Sequence, residues 1–329
     1  NEEKISLLSP RNVKDGYFIE SGFVTTDKNI DIPDSNSIWS VVGNNKLTEQ
    51  SPVKLSWSNN EGITFEKEIS LDDKFLFTIK QRVINGTNKK YDFYSYGQII
   101  RNKIPKDLSD FYINHEGFVS HLDEELIEED YDDIQEKKYT KVAQKGWLGI
   151  GDKYWITSLI PPKNKEFKTT FDYKNKFRAN FIATEPLTLN QNSSIEEKVQ
   201  IIVAAKRVDV IDGYAKSLEI ENFDLVIDFG ILYWITKPLF YAIDYFFKLL
   251  GNYGLAIIAV TICIRLAFFP LANFSFRSMA KMKALQPEMV RLKEVHKDDK
   301  MKLQQAMMAL YKKEKVNPMS GCLPILVQI

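Results

Sequence analysis

Arg265 is the eleventh of the twenty residues from Leu255 to Phe274 and the only charge among them. A guanidinium at the centre of an apolar helix costs about 2.5 to 3.5 kcal/mol on insertion scales, so it persists where it faces water, protein or an anionic partner. Thr261 falls one helical turn before it on the same face, and Pro270 about one turn beyond. Proline has no N–H, so it frees a backbone carbonyl and can kink the helix to open such a face. The chemistry on offer is electrostatic: an anionic or polar group is drawn toward a cationic stripe inside an apolar helix. The same charge has two structural uses, an intramembrane ion pair or snorkelling to a lipid phosphate.

Covalent chemistry finds little support. The chain has no Gly-x-Ser-x-Gly elbow, no phosphate loop and no His-Glu-x-x-His. Its two cysteines, Cys263 and Cys322, both lie in apolar surroundings and supply neither a disulfide framework nor a zinc site. His115 and His121 are six apart beside a carboxylate run, a conceivable acid/base pair, but histidines in such company are usually solvated or hydrogen-bonded. His296 reads as structural. From Asp123 to Asp133 eight of eleven residues are carboxylates; the order is not that of a calcium loop, and the expectation is a solvated acidic loop. No enzyme activity, catalytic residue, metal or cofactor is expected.

The elements that position Arg265 follow from hydropathy and charge. The 329 residues carry 44 basic and 44 acidic side chains, yet residues 231–329 hold 14 basic against 6 acidic, a net of +8, leaving −8 for residues 1–230. Two environments are implied. The first part reads as strands and turns. Val53, Leu55 and Trp57 alternate with polar residues, and Asn59 to Gly62 turns the chain into Ile63, Phe65 and Ile69. A second turn at Asp72-Asp73 leads to Phe75, Phe77 and Ile79, and Asn85-Gly86, residues that tolerate positive φ, turns toward Tyr91. Without intervening helical periods, the expectation over residues 1–222 is an antiparallel all-β domain of two packed sheets.

Residues 223–250 are expected to form an amphipathic helix in the membrane interface. Seven aromatics fill Ile231 to Leu250, while Lys237, Asp244 and Lys248 share one face, with Asp244 able to pair with Lys248. Pro238 bends this helix or marks its first turn. Residues 251–276 are expected to span the bilayer, since twenty helical residues reach about 30 Å. Residues 277–318 carry 11 basic and 5 acidic side chains and are expected in the cytoplasm, which puts the β-rich domain in the periplasm. Within them Met282, Leu285, Met289, Leu292 and His296 follow a heptad seam, answered by Leu303, Met307 and Leu310 in a returning helix. Either Asp298 or Asp299 can cap that second helix, and Asn317-Pro318 ends it. Met279, Met282, Met289, Met301, Met307 and Met308 give this hairpin adaptable apolar contacts for a substrate or partner, and its basic face suits anionic phospholipids. Residues 319–329 open a further span.

Several stretches resemble the YidC membrane protein insertase family: FDLVIDFGILYWITKPLF at 223–240, GNYGLAIIAVTICIRLAFFPL at 251–271, MAKMKALQP at 279–287 and MMALYKKEKVNPMSGCLP at 307–324. KGWLGIGDKYWITSLIPP at 145–162 resembles the family's periplasmic segment. The resemblance implies a periplasmic β-super-sandwich like that of sugar mutarotases, followed by an interfacial helix, membrane segments and a cytoplasmic helical hairpin. It implies insertion of hydrophobic segments into the inner membrane, alone or with the Sec translocon, with no enzymatic reaction. Arg265 and Thr261 match the residues that line the family's hydrophilic groove. The implied partners are nascent membrane proteins, the Sec translocon, and the ribosome or the signal recognition particle receptor. It further implies a partial set of segments, without the family's first membrane helix and later spans. Two other readings stand beside this one: a membrane-anchored mutarotase-like or carbohydrate-binding protein, and an anion channel or transporter subunit using Arg265.

Overall fold

A computed structural model describes residues 6–105, 108, 115–230, 232–297 and 299–314. The chain divides into two compact units, Asn1–Ile231 and Leu232–Ile329.

The first unit is built from β1 (Tyr17–Val24), β2 (Ser40–Val42), β3 (Val53–Ser58), β4 (Ile63–Leu71), β5 (Leu76–Asn85), β6 (Tyr91–Arg101), β7 (Gly117–Leu122) and β8 (Glu125–Glu129). It continues through β9 (Tyr139–Ala143), β10 (Gly146–Gly151), β11 (Trp155–Ile160), β12 (Phe167–Tyr173), β13 (Phe177–Ala183), β14 (Leu187–Leu189) and β15 (Ser194–Ala205). The strands form two sheets, one ordered β1-β6-β13-β12-β9 with β14 also on β6, the other β2-β3-β4-β5-β15-β11-β10-β7-β8. Every named pairing is antiparallel. The expected two-sheet all-β sandwich is therefore what forms, because alternate residues of each strand bury an apolar face against the other sheet.

The hairpin of β3 and β4 is the one the alternation predicts. Asn59 closes it, its Oδ1 accepting the backbone N–H groups of Glu61 and Ile63 at 3.0 and 2.8 Å, with Gly62 at φ +88°. The turn after β5 is built differently from expectation. Neither Asn85 nor Gly86 has positive φ. Instead the Asn85 side chain donates to the carbonyls of Lys89 and Asn190 at 2.7 and 2.9 Å and accepts from Thr87. It carries the chain from one sheet into the other, since β5 pairs with β4 and β15 whereas β6 pairs with β1, β13 and β14.

Two helices break the all-strand expectation. The acidic stretch from Asp123 is a turn, then β8, then the start of α1 (Tyr131–Glu136), because Ile127, Tyr131 and Ile134 point into the core while the carboxylates face out. After β15 comes α2 (Val208–Ser217), then a 3-10 turn at Phe223–Val226, and both lie on the outer face of the larger sheet. Val210, Ile211, Tyr214, Phe223 and Val226 pack there against Trp147, Ile156 and Ile202. The Trp147 and Phe223 rings meet edge to face at 5.2 Å. Phe223 to Val226 thus belongs with the β-rich unit rather than with the following helix.

Between the sheets lie two apolar clusters. One gathers Phe118, Leu148, Phe171, Phe177 and Val199; the other gathers Phe23, Ile63, Phe65, Val83 and Phe93. A polar row separates them. Lys67 pairs in register with Gln81, and Gln81 with Glu197, on adjacent strands β4, β5 and β15. Their neighbours two positions away, Phe65, Val83 and Ile195 on one side and Ile79 and Val199 on the other, belong to the two different clusters.

The second unit contains α3 (Tyr233–Leu250), α4 (Tyr253–Ala284), α5 (Gln286–Val295) and α6 (Lys300–Lys313). Helix α3 begins ten residues later than the expected interfacial helix, with Pro238 inside it. It ends at Gly251, φ +66°, whose N–H bonds the Phe247 carbonyl at 2.8 Å. Asn252 then caps α4, its Oδ1 accepting the Leu255 N–H at 3.2 Å. The Phe247 and Tyr253 rings stack across this joint at 3.9 Å. Helix α4 runs unbroken through residue 276, where a boundary between span and hairpin was expected. Residues 315–329, including Asn317-Pro318, Cys322 and the expected further span, lie outside the described residues, as does Asp298.

Candidate functional site in the apolar helix and the helical hairpin

Among the described residues α4 is the one helix long and apolar enough to cross a membrane. Asn252 starts it and leucine, isoleucine and alanine sustain it, so its backbone polar groups are satisfied internally, as hydrocarbon requires. All ten positions from Thr261 to Pro270 are exposed. Arg265 sits among them with no hydrogen bond or ion pair to any described residue. Thr261, one turn earlier, donates its hydroxyl to the Ile257 carbonyl at 2.7 Å, so its polar group is turned back onto its own helix. Pro270 lies within the continuous helix, where it supplies no N–H to the carbonyl one turn back. The structure thus places Thr261 and Arg265 on one face, one helical turn apart, with Arg265 exposed.

Helix α3 carries its charges as the spacing foresees. Lys248 and Asp244 form an ion pair at 2.6 Å, and the Lys237 ammonium donates to the Tyr233 hydroxyl at 2.8 Å. Trp234, Tyr245 and Leu249 are among the most exposed large apolar residues in the chain, at 86%, 65% and 68%. A helix with exposed aromatics and one narrow charged face suits the boundary between headgroups and acyl chains.

The hairpin follows the heptad reading closely. Met282, Leu285, Met289, Leu292 and His296 are the half-buried positions between 281 and 297, and all their neighbours are exposed. Met282 itself lies on the last turns of α4, with Met289 on α5. Asp299 caps α6, accepting the Lys302 N–H at 3.0 Å. The Tyr311 hydroxyl meets the Met289 sulfur at 3.7 Å, joining the first half of α5 to the end of α6 and making the pair antiparallel. Met307 lies in the seam beside Leu303 and the buried Leu310, whereas Met308 is 63% exposed and points away from it. The structure brings Met282, Met289 and Met307 into the packing edge and leaves Met308, with Met279 and Met301, on the outer surface.

The two histidines of the β-rich unit do not form one site. His115 Nε2 donates to the Phe118 carbonyl at 2.9 Å, and its backbone N–H donates to Asp228 at 3.2 Å. His121 is buried opposite Trp147 on β10, with Nε2 3.0 Å from the Asn222 amide, and burial pushes its pKa down. The two imidazoles thus lie apart, each held by its own neighbours.

The sequence compares with known proteins over its whole length. Residues 1–242 match the family model of the YidC periplasmic domain, and residues 245–329 that of the 60Kd inner membrane protein. A membrane protein insertase YidC of Pelagibacter ubique (strain HTCC1062) is 75% identical over 327 residues, covering 99% of this chain and 58% of that protein. Those of Brucella suis biovar 1 and Rickettsia prowazekii (strain Madrid E) are 41% and 44% identical, covering 99% and 100% of this chain. The chain spans 54% and 60% of the length of these two relatives.

Proposed function

The chain belongs to the YidC membrane protein insertase family, and on that premise we propose that it forms part of an insertase in which Arg265 receives the polar flank of a substrate within the bilayer. The observation that carries this reading is the position of Arg265, unpaired and exposed amid ten consecutive exposed residues of α4. A charge so costly in hydrocarbon is stabilised by water or by an anionic group brought to it. A substrate's acidic or polar flank, drawn partway in by this charge, has a shorter apolar barrier left to cross. Its hydrophobic segment meanwhile stays against lipid and leaves sideways. The membrane potential adds about 2.3 kcal/mol per charge per 100 mV in favour of outward movement of an anionic flank.

In this arrangement the β-rich unit, net −8 over residues 1–230, lies in the periplasm of a multi-pass inner-membrane protein, with the basic hairpin on the cytoplasmic side. The helical hairpin, with Met308 on its surface and Met282 at the end of α4, Met289 and Met307 along its seam, meets the incoming chain or its carrier. Partners in the cytoplasm are the ribosome or the signal recognition particle receptor; the Sec translocon and anionic phospholipids are partners in the membrane. A photo-cross-linker at position 265 of the intact protein tests this during translation of a membrane-protein substrate. Capture of the nascent chain is the expected result. Absence of any nascent-chain adduct, with small anions conducted instead, would establish a channel and remove the insertase assignment.

A further inference from the structure

The polar row inside the sandwich contains a cation without a counterion. Lys67 is half-buried, its ammonium donating to the Ser21 carbonyl and lying 5.2 Å from the Trp39 ring. No described carboxylate lies within ion-pair distance of it. The acidic groups nearby have other partners: Glu20 is held by Arg11 and by Gln98 at 2.6 Å, Glu66 by Lys54 at 3.3 Å, and Glu197, beside Gln81 in register, by Lys165 through one oxygen, its Oε2 having no partner among the described residues. Next to Lys67 in register, Gln81 is 1% exposed, and neither its Nε2 nor its Oε1 has a partner. An ammonium without a counterion in a half-buried position and a buried unpartnered amide are each costly to leave as they are. Both residues line one cavity of about 340 Å³ between the sheets, with Leu55, Phe65, Ile79 and Trp39 among its apolar walls and Arg11, Arg82, Glu20, Asp34 and Glu66 among its charged ones. That volume falls in the range of small-molecule sites.

We infer that this cavity binds a small carboxylate with an apolar body, its carboxylate on Lys67 beside Gln81 and its hydrocarbon among Leu55, Phe65, Ile79 and Trp39. A carboxylate supplies the charge that Lys67 lacks and accepts from the Gln81 amide, while the tail covers wall residues that water solvates poorly. A neutral ligand of the same shape leaves the ammonium unpaired. Burial already pulls the Lys67 pKa down to about 8, with Glu20 acting against it, and a bound anion raises it again. This site is separate from Arg265, and its occupancy is readable without any insertion assay.

The full chain in a neutral detergent is treated with acetic anhydride, and acetylation of Lys67 is followed by peptide mass spectrometry with benzoate or benzyl alcohol present. Saturating benzoate is expected to slow Lys67 acetylation by about tenfold or more, with benzyl alcohol leaving it unchanged. Gln81→Leu keeps the shape of the cavity and is expected to weaken the benzoate effect by about tenfold, as loss of a hydrogen bond to a charged group does. Lys67→Met is expected to raise thermal stability in the absence of the probe and to abolish stabilisation by benzoate. Equal acetylation with and without benzoate, or equal protection by benzyl alcohol, overturns the inference.

Discussion

The Tyr214 hydroxyl donates to Asp72, lying 2.9 Å from both carboxylate oxygens across 142 positions of sequence. Asp72 also accepts the backbone N–H groups of Lys74 and Leu76 at 3.0 and 2.8 Å, so one carboxylate shapes the β4–β5 turn and fastens α2 over the larger sheet. Burial and the adjacent carboxylate push the Tyr214 phenol well above its usual range, keeping it a donor.

Tyr214→Phe removes that donor while keeping the ring. It is expected to lower the stability of the β-rich unit by about 1.5 kcal/mol, the low end for a bond to a charged acceptor because Asp72 is half-exposed. Urea unfolding of the full chain followed by tryptophan fluorescence checks it; a loss under about 0.3 kcal/mol would dissociate the bond from stability.

His121 gives the protein a pH dependence with a definite sign. Its folded pKa lies below the usual 6.5 because of burial, so the unfolded chain takes up a proton first as pH falls. Its contribution is neutral at high pH and becomes destabilising as pH drops through about 6.5 toward the folded value. Wild type is expected to lose more stability between about pH 7 and pH 5 than His121→Gln. Parallel stability curves for the two proteins would show that the imidazole does not titrate differently on folding.

Gly146 has φ +134°, and a Cβ there would stand 2.0 Å from the His121 carbonyl oxygen on the paired strand. Gly146→Ala combines a backbone conformation alien to L-residues with a contact against main chain, and is expected to cost at least about 3 kcal/mol. Gly43, at φ +81° with open space around its Cβ position, is the contrast: Gly43→Asn is expected to be nearly neutral. Limited proteolysis of the two variants reports the difference.

Arg265→Ala in the intact protein is expected to impair insertion of substrates with acidic flanks by about tenfold or more, and to spare those with short uncharged flanks. Arg265→Lys keeps the charge and loses the forked donors, so it is expected to fall between. Depletion strains carrying each variant, scored by protease accessibility of a model substrate, make the measurement. Unimpaired insertion of an acidic-flank substrate by Arg265→Ala would refute the role given to this residue.

Much of the architecture is legible in local patterns. Alternation around Val53 to Ile69 marks a hairpin because a half-buried strand has period two, and the hairpin seam at Met282, Leu285, Met289, Leu292 and His296 shows in burial as it does in spacing. What escaped depends on distant partners. The run from Asp123 is dominated by solvent-facing charge, and only the core around Ile127, Tyr131 and Ile134 makes it strand and helix. Helix α2 contains Gly213 and several β-branched residues, poor helix formers that hold because Val210, Ile211 and Tyr214 cover the larger sheet. The site shows the same division. Arg265 stands out in a hydropathy profile, whereas the Lys67, Gln81 and Glu197 row exists only once β4, β5 and β15 are in register.

The unbroken course of α4 has a mechanical consequence. Thirty-two residues make a rod of about 48 Å, well beyond the hydrocarbon thickness of a bilayer. Arg265 lies about 18 Å from its start and about 28 Å from Ala284, so a tilt of about 10° pivoting at the arginine sweeps the Ala284 end through about 5 Å. Force applied where α4 meets α5 therefore reaches Arg265 as torque, and a push on the arginine returns as displacement at the hairpin.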